Sequence, residues 1–180
     1  MSATALYGFL AHGIVFGALV MLLPLGDRRQ ILAFMAIPVA LATGIASFMH
    51  GVVGTPSLTL LALAVWKLMA TKPAPLTFRP ALILLLLAIP FYAMALGLGP
   101  LDPYTPGYQP LPLLTISLPL AALLWWRRLD DWLLILALDL AGYASGLFAN
   151  LWDALFDPLL VIVALAVVVR HHVRREHHDG

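Results

Sequence analysis

Long apolar runs separated by short polar connections make up most of this chain. A helix needs about 20 mostly apolar residues to cross the hydrocarbon core of a bilayer, within a range of about 17–25. Seven runs approach or reach this length: 4–25, 31–48, 52–69, 81–98, 111–126, 132–149 and 158–173. The pattern predicts an all-α fold, a polytopic transmembrane bundle of about seven helices.

The connection between the second and third runs is very short. It consists of Met49, His50 and Gly51. We expect the two runs to form a tight helical hairpin with His50 at the outer rim of the bundle. A single re-entrant unit that does not cross the membrane twice is the alternative.

Basic residues are confined to alternate connections. All 10 Lys and Arg residues end or follow odd-numbered runs. They are Arg28, Arg29, Lys67, Lys72, Arg79, Arg127, Arg128, Arg170, Arg174 and Arg175. Because Lys and Arg concentrate in cytoplasmic loops, this segregation predicts an external N-terminus, a cytoplasmic C-terminus and an odd number of crossings.

The composition indicates a membrane protein rather than a water-soluble one. Hydrophobic residues make up 62% of the chain and charged residues 11%, whereas soluble domains have about 45–50% and about 25%. The first run lacks the basic leading segment of a cleavable signal, so we expect it to be retained as a helix. Residues 1–170 are predicted to form a single transmembrane domain of the bacterial inner membrane, and 171–180 a cytoplasmic tail rich in His and Arg.

The expected partner is the lipid bilayer, and association with other membrane subunits is left open. A net charge of +1 gives no indication of nucleic-acid binding. The absence of cysteine excludes disulfides, thiolate catalysis and cysteine-ligated metals. The sequence predicts no cofactor and no metal.

Asp139 is the main anomaly, because it lies inside the sixth apolar run. An ionisable residue at the centre of a spanning helix costs about 2.5–3.5 kcal/mol and usually faces a partner or a cavity. We expect its partner to be Lys67, from the third run, or His12, from the first. These three residues form the predicted polar core, either as a structural pair or as a proton or ion relay.

A second group of polar residues lies in the connections predicted to face outward. Its members are His50, Asp102, Tyr104, Tyr108, Asn150, Asp153 and Asp157. Together they could bind a cation or perform acid–base chemistry, but their spacing forms no motif, and solvated loops are the alternative. Asp157 precedes Pro158 and is expected to cap a helix, after a short interfacial helix that contains Asp153.

His12 and His50 are the residue type that ligates haem iron. With His50 at the outer rim and His12 well inside, their depths disagree, so haem is disfavoured. Neutral histidine packed inside the bundle is the simpler interpretation.

Three functions are compatible with these features. The first is movement of a small solute, ion or lipid-linked group, directly or as an accessory subunit of a membrane complex. The second is a membrane-embedded enzyme that acts on a lipid-linked substrate at the outer face, and the third is a structural or assembly subunit. Whether the protein is an enzyme is left open, and no catalytic residue is assigned.

Overall fold

The computed structural model describes residues 2–69 and 74–179, and over these residues the chain is all-α without strands. Lys72, one of the basic residues used to predict orientation, lies outside this part. The helices within the described residues are α1 Ala3–Val20, α2 Arg29–Ala42, α3 Ile45–Val53, α4 Leu58–Met69, α5 Phe78–Ala93, α6 Pro110–Trp126, α7 Asp130–Ala144, α8 Leu151–Leu155 and α9 Pro158–Asp179. A π-helical turn, Met94–Leu98, extends α5. Short 3-10 helices form at Gly26–Arg28 and Thr105–Tyr108.

Helix length limits how many membrane crossings these elements support. In the described part of the chain, Ala3–Val20 and Phe78–Leu98 are each long and apolar enough to cross a bilayer. A third candidate arises if α2, with its preceding 3-10 turn, and α3 count as one span, although they are bent by 77°. The all-α class is therefore confirmed, whereas the predicted bundle of seven spanning helices is not.

The second predicted helix, 31–48, is broken, and the turn expected at His50 is helical. The break is at Gly44, whose φ of +83° separates α2 from α3. The next break follows at Gly54, with a φ of +79°, so α4 begins at Leu58. Glycine adopts this left-handed backbone at no steric cost. Hydropathy does not reveal the break at Gly44, whose neighbours are mostly apolar, whereas Gly54 is followed by Thr55, Pro56 and Ser57, a turn-type run inside the predicted helix 52–69.

α1 is the central helix, because it packs against α2, α3 and α4. Glycines on α1 allow α2 to approach closely. A Cβ added at Gly17 would lie 2.8 Å from the backbone oxygen of Ala33, and one at Gly13 would meet Leu41 at the same distance. Small residues at such contacts are typical of helix pairs in membranes. The order of these contacts makes α2 antiparallel to α1.

The remaining helices surround this centre. The main apolar core consists of Val15, Ala18, Met21, Ala33, Leu60, Leu63, Ala64, Leu68, Ile135 and Leu160. α5 packs on α9 through Ala81, Leu85 and Ala164. α6 packs mainly on α7, and most of its large apolar side chains are exposed. α9 continues to Asp179 and so includes most of the segment predicted as a tail.

Candidate functional site

The connection between α3 and α4, residues 54–57, enters the bundle: Gly54 is exposed and Thr55 half-buried, whereas Pro56 and Ser57 are buried. Ser57 is fully buried, and the backbone of this connection is bound by neighbouring elements. The hydroxyl of Tyr7 donates to the carbonyl of Pro56 at 3.0 Å. The His12 Nε2 lies 2.8 Å from the carbonyl oxygen of Gly54. These bonds provide the partners that irregular backbone needs when it lies away from water.

Asp157 joins this connection to the start of α9. Its Oδ1 accepts hydrogen bonds from the backbone N–H groups of Leu159, at 2.8 Å, and Leu160, at 3.0 Å. Its Oδ2 accepts from the backbone N–H of Ser57 at 2.7 Å. The capping role predicted for Asp157 is therefore confirmed, and the second oxygen of the carboxylate holds the buried connection. Ser57 in turn caps α4, because its Oγ accepts from the N–H of Leu60.

Asp139 lies on the inner face of α7 and is only 1% exposed. Its Oδ2 accepts a hydrogen bond of 2.8 Å from the hydroxyl of Thr59, in the first turn of α4. Its Oδ1 has no hydrogen-bond partner among the described residues. The side chain therefore has one neutral donor and one unbound oxygen.

The partners predicted for Asp139 are wrong. Lys67 lies two helical turns beyond Thr59 on α4, about 12 Å further along the axis at about 1.5 Å per residue. The His12 ring bonds to the carbonyl oxygen of Gly54 instead of Asp139. The reason is where the two helices cross: Asp139 of α7 lies beside the first turn of α4, whereas Lys67 belongs to its last turn.

His12 and His50 lie next to each other, contrary to the predicted difference in depth. Their ring centroids are 5.7 Å apart with an interplanar angle of 65°. His50 belongs to α3, which packs against the first half of α1, and a Cβ added at Gly8 would lie 2.5 Å from its ring. The Nδ1 atoms of both histidines are buried without a hydrogen-bond partner in the described part of the chain.

The tautomer of His12 follows from its contact. Only a protonated Nε2 can donate to the Gly54 carbonyl, so a neutral ring has a lone pair on Nδ1. Residues 2–69 and 74–179 contain no group of three His, Cys, Asp or Glu side chains that could hold a metal ion.

Three members of the predicted outer-face cluster do come together, at α8. The hydroxyl of Tyr104 donates to the carboxylate of Asp153, and the Asn150 amide donates to the Tyr104 carbonyl at 3.1 Å. Asn150 also caps α8, because its Oδ1 accepts from the N–H of Trp152. Burial raises the pKa of the Tyr104 phenol, and the hydrogen bond to Asp153 raises it further. The short helix predicted in this segment is confirmed as α8.

The other members of that cluster lie apart. Asp102 is exposed and accepts hydrogen bonds from the N–H of Tyr104 and the hydroxyl of Thr105. The bond from Thr105 lowers the pKa of the Asp102 carboxyl. Tyr108 is exposed, and His50 and Asp157 lie with the α3–α4 connection. The predicted outer cluster is therefore not one site.

The residues around the α3–α4 connection form one polar group, which shares only His12 and Asp139 with the predicted polar core. This group consists of Tyr7, His12, His50, Gly54, Pro56, Ser57, Thr59, Asp139 and Asp157. Sequence reasoning missed Tyr7, Ser57 and Thr59. Ser57 did offer a signal, because a serine just before an apolar run is a typical helix N-cap.

No protein-family model, curated protein or solved structure matches the chain.

Proposed function

We propose that the chain is a multi-pass protein of the bacterial inner membrane that moves a small solute or ion, or assists a membrane complex that does so. In this proposal Asp139 takes up and releases a proton during the cycle. One observation supports it most: Asp139 is buried, yet only one of its two carboxylate oxygens is bound within the described residues.

Electrostatics explains why a buried carboxyl group with one unbound oxygen is suited to taking up and releasing a proton. A buried carboxylate without a positive partner is strongly unfavourable when ionised, whereas a proton or a bound cation relieves the charge. The single bond from Thr59 orients the carboxyl group and leaves Oδ1 available. Ionisable residues inside transmembrane bundles commonly mark proton or ion pathways.

The proposed topology has seven crossings with the N-terminus outside. They are α1, the bent pair α2–α3, α4, α5 with its π-helical turn, α6, α7 and α9. The segregation of the 10 basic residues supports this orientation. α4 has 12 residues and is shorter than a bilayer core. We propose that the 54–57 connection, which Tyr7, His12 and Asp157 bind, completes its path through the outer part of the membrane.

The alternative of an outer-face enzyme has less support. Asp102, Asp153 and Asp157 each accept hydrogen bonds that cap a helix or hold a loop in place. Carboxylates engaged in this way are poorly placed to act as acid or base. A purely structural subunit is the other alternative, and it predicts a different outcome in the next experiment.

Voltage-driven proton uptake into proteoliposomes tests the role of Asp139. The purified protein is reconstituted with a pH-sensitive dye inside the vesicles, and wild type is compared with Asp139→Asn. Asp102→Asn is the matched control, because it makes the same change at an exposed carboxylate. We expect proton uptake to be lost in Asp139→Asn and retained in Asp102→Asn.

Equal uptake by wild type and Asp139→Asn would contradict the proposal. So would uptake by wild type no greater than that of protein-free vesicles, which is the result expected of a structural subunit. Size-exclusion chromatography of both variants before reconstitution shows that any loss of flux belongs to folded protein.

A further inference from the structure

A basic cleft of about 470 Å³ opens between the start of α5 and the last turns of α9. Its lining consists of Thr77, Phe78, Arg79, His171 and Arg175. The arginines come from two different helices, and both are exposed. The cleft therefore presents two permanent positive charges on opposite walls.

These side chains have the chemistry that recognises a phosphate group. A guanidinium group is a planar fork of N–H donors that matches phosphate oxygens in pairs. Thr77 precedes α5 but its side chain makes no capping hydrogen bond there, so its hydroxyl remains a donor for a ligand. Phe78 stacks on the ring of His171, with centroids 4.3 Å apart, and this contact holds the two walls together.

An apolar surface continues from the cleft along α5. Leu82, Ile83 and Leu86 lie one to two turns beyond Arg79 and are exposed by 36%, 58% and 65%. A molecule with an anionic head and apolar chains would contact both regions at once. A free phosphate ion would use only the first.

We propose that this cleft binds the phosphate-bearing headgroup of an anionic phospholipid from the cytoplasmic leaflet, with the acyl chains against α5. Basic pockets between transmembrane helices on the cytoplasmic side are suited to such headgroups. The leaflet assignment rests on the proposed topology, whereas the binding chemistry does not depend on it.

Lipid titration of the full chain in detergent, followed by native mass spectrometry, tests the cleft. The probes are phosphatidylglycerol and phosphatidylcholine with identical acyl chains. The variant Arg79→Gln/Arg175→Gln is compared with Arg127→Gln/Arg128→Gln, which removes the same charge between α6 and α7. We expect the apparent affinity for phosphatidylglycerol to fall about tenfold or more in the cleft variant and less than about twofold in the control.

Three results would overturn the proposal. One is an equal loss in both variants, which indicates general charge attraction. Another is no preference of wild type for phosphatidylglycerol over phosphatidylcholine. The third is complete displacement of phosphatidylglycerol by millimolar inorganic phosphate, which indicates a site for free phosphate.

The topology is tested separately by protease digestion of a C-terminal tag in spheroplasts. A tag that is cut from outside would contradict the cytoplasmic assignment. Selective lipid binding in detergent would persist in that case, so the two failures are distinguishable.

Discussion

The hydrogen bond from Thr59 to Asp139 is the one polar contact described between α4 and α7. Its donor is a neutral hydroxyl, so its energetics differ from those of a buried ion pair. Removing the hydroxyl takes away the only side-chain donor to the carboxyl group among the described residues. A buried polar group left unpaired in this way typically costs about 1–3 kcal/mol.

We therefore predict that Thr59→Val lowers the free energy of unfolding by about 1–3 kcal/mol. Thr59→Val combined with Asp139→Leu should lose much less than the sum of the two single changes, because no polar group then lacks a partner. Thr43→Val is the matched control, since that hydroxyl is exposed and bonds only within its own helix. Unfolding of purified variants in detergent measures Thr59→Val, Asp139→Leu, the double change and Thr43→Val, and strictly additive losses would show that the contact is unimportant.

The phenol of Tyr104 gives a prediction about pH. Because its pKa is raised in the folded protein, its contribution to stability is complete below the unfolded value of about 10 and is lost as pH rises through the folded value. Phenolate absorbance of wild type minus that of Tyr104→Phe should therefore show no titration at pH 10. A difference signal with a midpoint near pH 10 would mean that Tyr104 is not bonded to Asp153.

Single residues were predictable only where their chemistry conflicts with their surroundings. Asp139 stands out in an apolar run, and Asp157 before a proline indicates a cap. Thr59 does not stand out, because threonine is common in apolar helices. Its pairing with Asp139 depends on which helices are neighbours and at what level they meet, and neither is encoded in one local segment.

Close packing of α1 is the main feature at the scale of elements. Gly8, Gly13 and Gly17 allow α3 and α2 to lie against it, and a side chain at any of the three would meet a neighbouring atom. At Gly17 the neighbour includes the backbone of Ala33, which cannot move aside as a flexible side chain can. The apolar runs predicted where helices form, but hydropathy contains no information about which helix surfaces touch.

We predict that Gly17→Ala lowers the free energy of unfolding by about 1–3 kcal/mol through overpacking. Gly51→Ala is the control, because Gly51 is also helical but has no atom within 4 Å of an added Cβ. That change should be neutral or stabilise the helix by up to about 1 kcal/mol. Chemical unfolding in mixed micelles compares the stability of Gly17→Ala with that of Gly51→Ala. Equal effects would mean that α1 and α2 are not in close contact.

At the scale of the whole molecule, the α3–α4 connection, buried at Pro56 and Ser57, distinguishes this fold from a simple series of hairpins. The apolar pattern predicted the all-α class and the position of most helices. It missed the breaks at Gly44 and Gly54, because hydropathy does not report backbone dihedral angles, although the run Thr55, Pro56 and Ser57 after Gly54 is typical of a turn. The number of crossings could not be read from the sequence for the same reason.

Cysteine labelling in cells tests this arrangement, since the chain has no cysteine of its own. An impermeant maleimide should label Tyr108→Cys in intact cells and Arg128→Cys only after permeabilisation. Ser57→Cys should stay unlabelled in both conditions until the protein is denatured, because Ser57 is fully buried. Labelling of Ser57→Cys in intact cells would place the connection at the outer surface instead.

The bond between Ser57 and Asp157 also has a consequence for biogenesis. The two residues are 100 positions apart, so at about 5–20 residues per second the ribosome needs about 5–20 s to supply the carboxylate after the amide. α1 to α3 are already made when that interval begins and α4 is completed early in it, while the start of α4 lacks its final partner. The N-terminal half is therefore a transient assembly intermediate, and truncation before Asp157 should yield chains that membrane quality-control proteases degrade.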